Sequence, residues 1–178
     1  SLGNDSSSFF VKIKDLIENA KLSEAEQLLE DYLSENSEDV KAIGLYLNCM
    51  INLSKFQDTK DFISALSKEM LNKPELKSAI TNLEIMENNS KSPTLEEIIK
   101  KYNKDPNNIK FIIELSEKYF VNDKIETSFN LLIDQYQKNT QKNKEKIKKI
   151  LLKYFDALGN ENENTKYFRK KFSSIMFS

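Results

Sequence analysis

LSEAEQLLEDY (residues 22–32), FQDTKDFISAL (56–66) and VNDKIETSFNLL (121–132) share one shape, and the first two overlay at an offset of 34 residues. Ala25, Thr59, Thr94 and Ser128 mark successive copies at steps of 34, 35 and 34. Four residues after each comes a large apolar side chain: Leu29, Ile63, Ile98 and Leu132. Residues four apart share a helix face, so a small residue lets a partner helix approach and the apolar one fills the gap a turn later. A period of this length predicts helix–turn–helix units, each burying its apolar face against the next. The first helix of each unit should also carry a small residue, but those positions hold Ile13, Leu47, Asn82 and Ser116.

The intervening sequence reads as helix throughout. Phe10, Ile13, Leu16, Ile17 and Ala20 fall on one face. Ser23 to Glu26 reads as a capping box for a second helix. Ser37 and Asp58 are expected to cap the third and fourth, and Pro74 suits the first turn of the fifth. Thr94 starts a sixth, Asn107 or Asn108 a seventh, and Asp123 with Glu126 an eighth. A ninth carries Ile147, Ile150, Leu151, Tyr154 and Phe155, with Gly159 at its end. A tenth holds Tyr167, Phe168, Phe172, Ile175 and Met176. No strand-like alternation competes. Residues 1–8, SLGNDSSS, are small and polar and are expected to be a linker.

Composition narrows the function. Three Gly and three Pro in 178 residues argue against turn-dense β architectures. Without histidine there is no His-based triad, base or metal ligand, and the single cysteine, Cys49, excludes disulfides within the chain and Cys-based zinc sites. Cys49 sits among Leu45, Leu47 and Met50, as a buried apolar cysteine would. No Gly-rich phosphate loop and no distinctive carboxylate pair is present, so no enzyme activity, cofactor or metal is expected. Net charge is −1, with 26 lysines and one arginine, Arg169. The Lys run 138–153 with Tyr136 and Tyr154 could form a basic patch. Because Lys, Asn and Ile are all enriched, the run is read as a solvated face of an A/T-rich-coded protein, and neither nucleic acid nor membrane is expected as a partner. The longest nearly apolar run, residues 43–53, is too short to span a bilayer.

These hairpins resemble tetratricopeptide repeats, and Pro106 stands where that repeat places its closing proline. The expected fold is all-α: a right-handed superhelix of about ten helices. Repeats would span 9–37, 38–72, 74–106 and 107–140, with a C-terminal pair at 145–177, forming a single domain over 9–178. The stretch KIKKILLKYFDALGNENENTKYFRKKFSSIMFS (146–178) further resembles the C-terminus of bacterial thioredoxin-like co-chaperones, the chaperedoxins. Leu151, Phe155, Leu158, Gly159, Arg169, Lys170, Lys171, Phe172, Ser173, Ser174 and Phe177 carry the likeness. YNKDPNNIKFIIELSEKYFVNDKIETSFNLLIDQ (102–135) resembles that family's central repeat. The thioredoxin domain lies outside this sequence, so no redox role is expected of this chain.

The resemblance implies a cytoplasmic, monomeric holdase region that binds unfolded client proteins and passes them to the chaperonin and to DnaK-type chaperones. The alternative is an unrelated repeat scaffold assembling another complex. The family's terminal helix is implicated in chaperonin docking, which here maps to Tyr167, Phe168, Arg169, Lys171, Phe172, Ile175, Met176 and Phe177. The crowding of apolar residues there also fits a helix that caps the core. In tetratricopeptide arrays the first helix of each pair lines a concave groove. By this phasing the groove would present Lys41, Asn48, Asn52, Leu83, Met86, Lys110, Ile113 and Glu117.

Overall fold

The structure, a computed structural model, describes residues 2–178, with side chains from residue 6 onward. Eleven helices follow in order: α1 Leu2–Glu18, α2 Leu22–Glu35, α3 Val40–Asn52, α4 Phe56–Ser64, α5 Lys68–Leu71, α6 Pro74–Ser90, α7 Leu95–Lys104, α8 Ile109–Val121, α9 Ile125–Lys138, α10 Gln141–Leu158 and α11 Glu163–Met176. No strand forms among the described residues. The fold is all-α. The extra helix is α5, a single turn capped by Ser67, whose hydroxyl accepts from the Met70 amide at 3.1 Å. It is too short for periodicity to reveal.

The chain divides into two compact units, one ending at Leu83 and the other spanning Glu84–Ser178. The boundary falls inside α6. In the first unit α1 packs on α2, α2 on α3 and α3 on α4. Its core holds Ile13, Leu29, Ile43, Leu47 and Leu76. In the second, α7 packs on α8, α8 on α9, α9 on α10 and α11, and α10 on α8 and α11. Phe129 is central to its core, with the Phe155 and Phe168 rings stacked at 5.1 and 4.9 Å and Tyr154 edge-on at 6.2 Å. Phe120 stacks on Tyr154 at 4.3 Å.

The repeat is written most clearly in the backbone of its turns. Ala20, Ser54 and Asp123 share a left-handed conformation, with φ of 58°, 60° and 61°. A lysine follows each and is the N-cap of the next helix: Lys21, Lys55 and Lys124. The lysine amides donate five residues back, to the carbonyls of Leu16, Met50 and Tyr119, at 2.8–2.9 Å. This left-handed C-cap satisfies carbonyls orphaned at the end of one helix while turning the chain into the next. An apolar residue comes next (Leu22, Phe56, Ile125), and three later a small, fully buried one (Ala25, Thr59, Ser128). Ser128 Oγ donates to the Ser116 carbonyl on α8 at 2.7 Å, so the close approach is also a hydrogen bond.

Several sequence expectations are corrected here. Ser23, Asp58 and Asp123 with Glu126 do not cap their helices; the backbone turn just described places the N-caps at Lys21, Lys55 and Lys124, with no side-chain cap. Asp39, not Ser37, caps α3: one carboxylate oxygen accepts from the Ala42 amide and the other from the Tyr32 hydroxyl. Thr94 is the N-cap of α7, paired with Glu97 in a capping box, and is exposed rather than wedged between helices. Ile98 is the buried residue there. The small residue of the first helices is found at Gly44 of α3, where an added Cβ would lie 3.2 Å from the Glu75 Cβ of α6. Residues 2–8, expected as a linker, form the first turns of α1. Asn108 and Gly159 cap their helices as the sequence predicts, Gly159 at φ 85°.

Candidate functional site

Of the residues assigned to a docking helix, Phe168 and Phe172 are only 2% exposed. Phe168 stacks on Phe129, and Phe172 meets the Tyr136 ring edge-on at 4.9 Å. They anchor α11 to the core and are withdrawn as docking contacts. Ile175 and Met176 are half-buried against the same core, and Lys171 donates to Asn130 Oδ1 at 2.9 Å. Tyr167 and Phe177 remain outside, 63% and 85% exposed. Arg169 is exposed, donates to Asn160 Oδ1 at 3.1 Å and lies over the Phe155 ring. With Lys166, Lys170, Ser173, Ser174 and Phe177 it lines a shallow cavity of about 570 Å³. This is the solvent side of α11: its core side is Thr165, Phe168 and Phe172, offset from it around the helix.

The expected groove residues divide between the two units. Lys41, Asn48, Asn52 and Leu83 belong to the first, and Met86, Lys110, Ile113 and Glu117 to the second. Leu83 is buried and offers no contact surface. Lys41 is exposed, its ammonium 4.4 Å above the Phe10 ring. Asn48 is half-buried and accepts from the Asn82 amide at 3.3 Å, while exposed Asn52 donates to the Asn48 carbonyl. Lys110, Ile113 and Glu117 share one face of α8, by their spacing of three and seven.

Around that face lies a charged network that the sequence reading missed. Lys118 is buried, its ammonium held by the Asn89 side-chain and backbone oxygens. Burial pulls its pKa down against the attraction of Glu117, Glu114 and Glu97. Glu117 is pushed up, first by burial and then by Glu114 and Glu84, with Lys153 and Lys118 opposing. Lys153 reaches Glu84 at 2.8 Å. Glu114 Oε2 is buried without a hydrogen-bond partner. The signal in sequence was a lysine at position 118, three residues after the buried Leu115 and four after Glu114.

In the Lys run 138–153, the lysines from 142 to 153 all lie on α10. Lys153 is paired with Glu84, Lys144 lies over the Tyr136 ring, and Lys142, Lys146 and Lys149 point to solvent. Cys49 is 1% exposed, and burial pushes its thiol up to about 11, so it is unreactive near neutral pH. Among the described residues no helix is long and apolar enough to cross a membrane.

Comparison with known proteins accords with this geometry. The tetratricopeptide-repeat family model matches residues 88–177, just over half of the chain. No curated protein matches significantly. Among solved structures, a domain of unknown function from a Vibrio parahaemolyticus protein aligns over 95% of this chain and 98% of its own length, at 19% identity and a TM-score of 0.44. Tetratricopeptide repeats generally mediate protein–protein interaction, and their fold is typically a non-catalytic scaffold. From the matched repeats, the chain belongs to the tetratricopeptide-repeat family.

Proposed function

We propose that this chain is the interaction region of a bacterial thioredoxin-like co-chaperone. It binds unfolded clients and the chaperonin in the cytoplasm and catalyses nothing itself. The observation that carries this reading is the C-terminal hairpin, where the family resemblance is densest. There, α11 holds to the core through Phe168 and Phe172 and leaves Tyr167 and Phe177 in solvent. Exposed aromatics on an anchored helix suit docking into a partner's groove, because their burial is deferred until the partner arrives. The half-buried Ile113 and Glu117 on α8, with Lys110, are proposed as client contacts.

The test is binding of the full chain to purified chaperonin, with the double variant Tyr167→Ala/Phe177→Ala alongside. Both side chains are exposed, so the variant keeps its fold, checked by circular dichroism. Expected is micromolar or tighter binding by the parent chain and at least a tenfold loss in the variant, since exposed aromatic anchors dominate such contacts. If the parent chain does not bind, the alternative of an unrelated scaffold takes its place.

A further inference from the structure

We propose that the solvent ridge of α11 receives an acidic segment of a partner protein. Lys166, Arg169 and Lys170 would pair its carboxylates, and an apolar side chain beside them would seat against Phe177. The inference rests on the reading of α11 as a docking helix and adds the chemistry of what docks there.

Charge segregation comes first. The chain carries a net charge of −1, yet residues 165–178 hold four cations, Lys166, Arg169, Lys170 and Lys171, and no acid. Three of the four line one shallow cavity with Ser173, Ser174 and Phe177. Their local partners are weak or neutral. Lys166 lies 3.8 and 3.4 Å from Glu161 and Glu163, whose side chains are 97% and 90% exposed. Such pairs are screened and exchange readily for a better carboxylate. Arg169 is bonded to the neutral Asn160 and lies over the Phe155 ring, with no ion pair among the described residues. Lys170 has no ion pair among the described residues. Phe177, 85% exposed, supplies an apolar seat about two to three turns from these cations. Cations flanking an exposed aromatic suit an acidic segment with an apolar anchor, in which charge sets encounter and register and the ring sets residence time. A nucleic-acid strand fits less well: the cations lie within a little over one helical turn, about 6 Å, too short to follow a backbone.

The probe is a fluorescein-labelled twelve-residue peptide of Glu-Glu-Leu repeats, with a Gln-Gln-Leu peptide and an oligo(dT) strand as comparisons, titrated against the full chain by anisotropy. The expected result is that the Glu peptide binds at least tenfold tighter than the Gln peptide at about 50 mM salt, an advantage reduced several-fold at about 300 mM. Lys166→Glu/Lys170→Glu should abolish the preference, and Phe177→Ser should weaken binding about tenfold. Equal binding of the Glu and Gln peptides, indifference to the charge reversal, or binding of oligo(dT) in preference to the Glu peptide would each overturn the proposal. Chaperonin binding is measured on the same variants. Binding of the Glu peptide without binding of chaperonin upholds the acidic-segment site and sinks the co-chaperone reading. Chaperonin binding that ignores the charge reversal, with no preference for the Glu peptide, does the reverse.

Discussion

Ala20, Ser54 and Asp123 each occupy a left-handed backbone conformation that disfavours any residue with a Cβ. Glycine there removes the clash, so Ala20→Gly and Ser54→Gly should each stabilise the chain by about 0.5–1 kcal/mol, read as a higher urea midpoint. Asp123→Gly should gain less, because Asp tolerates this conformation better than Ala. At Gly44 the opposite holds: the Glu75 Cβ stands 3.2 Å from where a Cβ would be, and Gly44→Leu should cost about 2–3 kcal/mol through overpacking. Lys118 and Asn89 separate the worth of a charge from the cost of stranding it. Lys118→Met should stay within about 1 kcal/mol of the parent, whereas Asn89→Leu should cost about 1–3 kcal/mol by leaving the buried ammonium only the backbone carbonyl of residue 89.

At the scale of elements, the pairing of α8 with α10 places Glu117 among Glu84, Glu114, Lys118 and Lys153. The folded state raises the Glu117 pKa above its unfolded value, so between those two values the folded chain holds more proton than the unfolded one. Stability should therefore fall as pH rises through that window, from the ordinary glutamate range upward. Glu117→Gln should remove this slope, seen in thermal unfolding midpoints compared between pH 4 and 7. Helix α11 is held by the aromatic stack on α9 and α10. Phe129→Ala should cost about 3–5 kcal/mol, because three rings lose their common neighbour. For the same reason, a chain ended at Gly159 would strip Phe168 and Phe172 from the core and confound docking with folding. Point variants at Tyr167 and Phe177 avoid that.

At the scale of the whole molecule, the cores of the two units are built from different residues. Phe129→Ala should therefore raise amide exchange around Leu132, Leu151 and Phe168 far more than around Leu29 and Ile43, measured by native-state hydrogen exchange. The sequence by itself determined the helices and the period. Apolar spacing is a local signal, and the 34-residue step from Ala25 to Thr59 survives in the turns at Ala20 and Ser54. It misplaced Thr94, because a threonine followed three residues later by glutamate looks the same in a list of small residues whether it wedges between helices or caps one. Only the tertiary structure decided which α11 aromatics are core and which are free. Tyr167 and Phe168 are adjacent in sequence and equally apolar to a periodicity count, yet the 100° turn between them puts one ring in solvent and the other on Phe129. The buried Lys118 was likewise invisible to a reading that sends charges to the surface. Its burial depends on Asn89, 29 residues away, and an oxygen that distant enters only when the last turn of α6 comes beside α8.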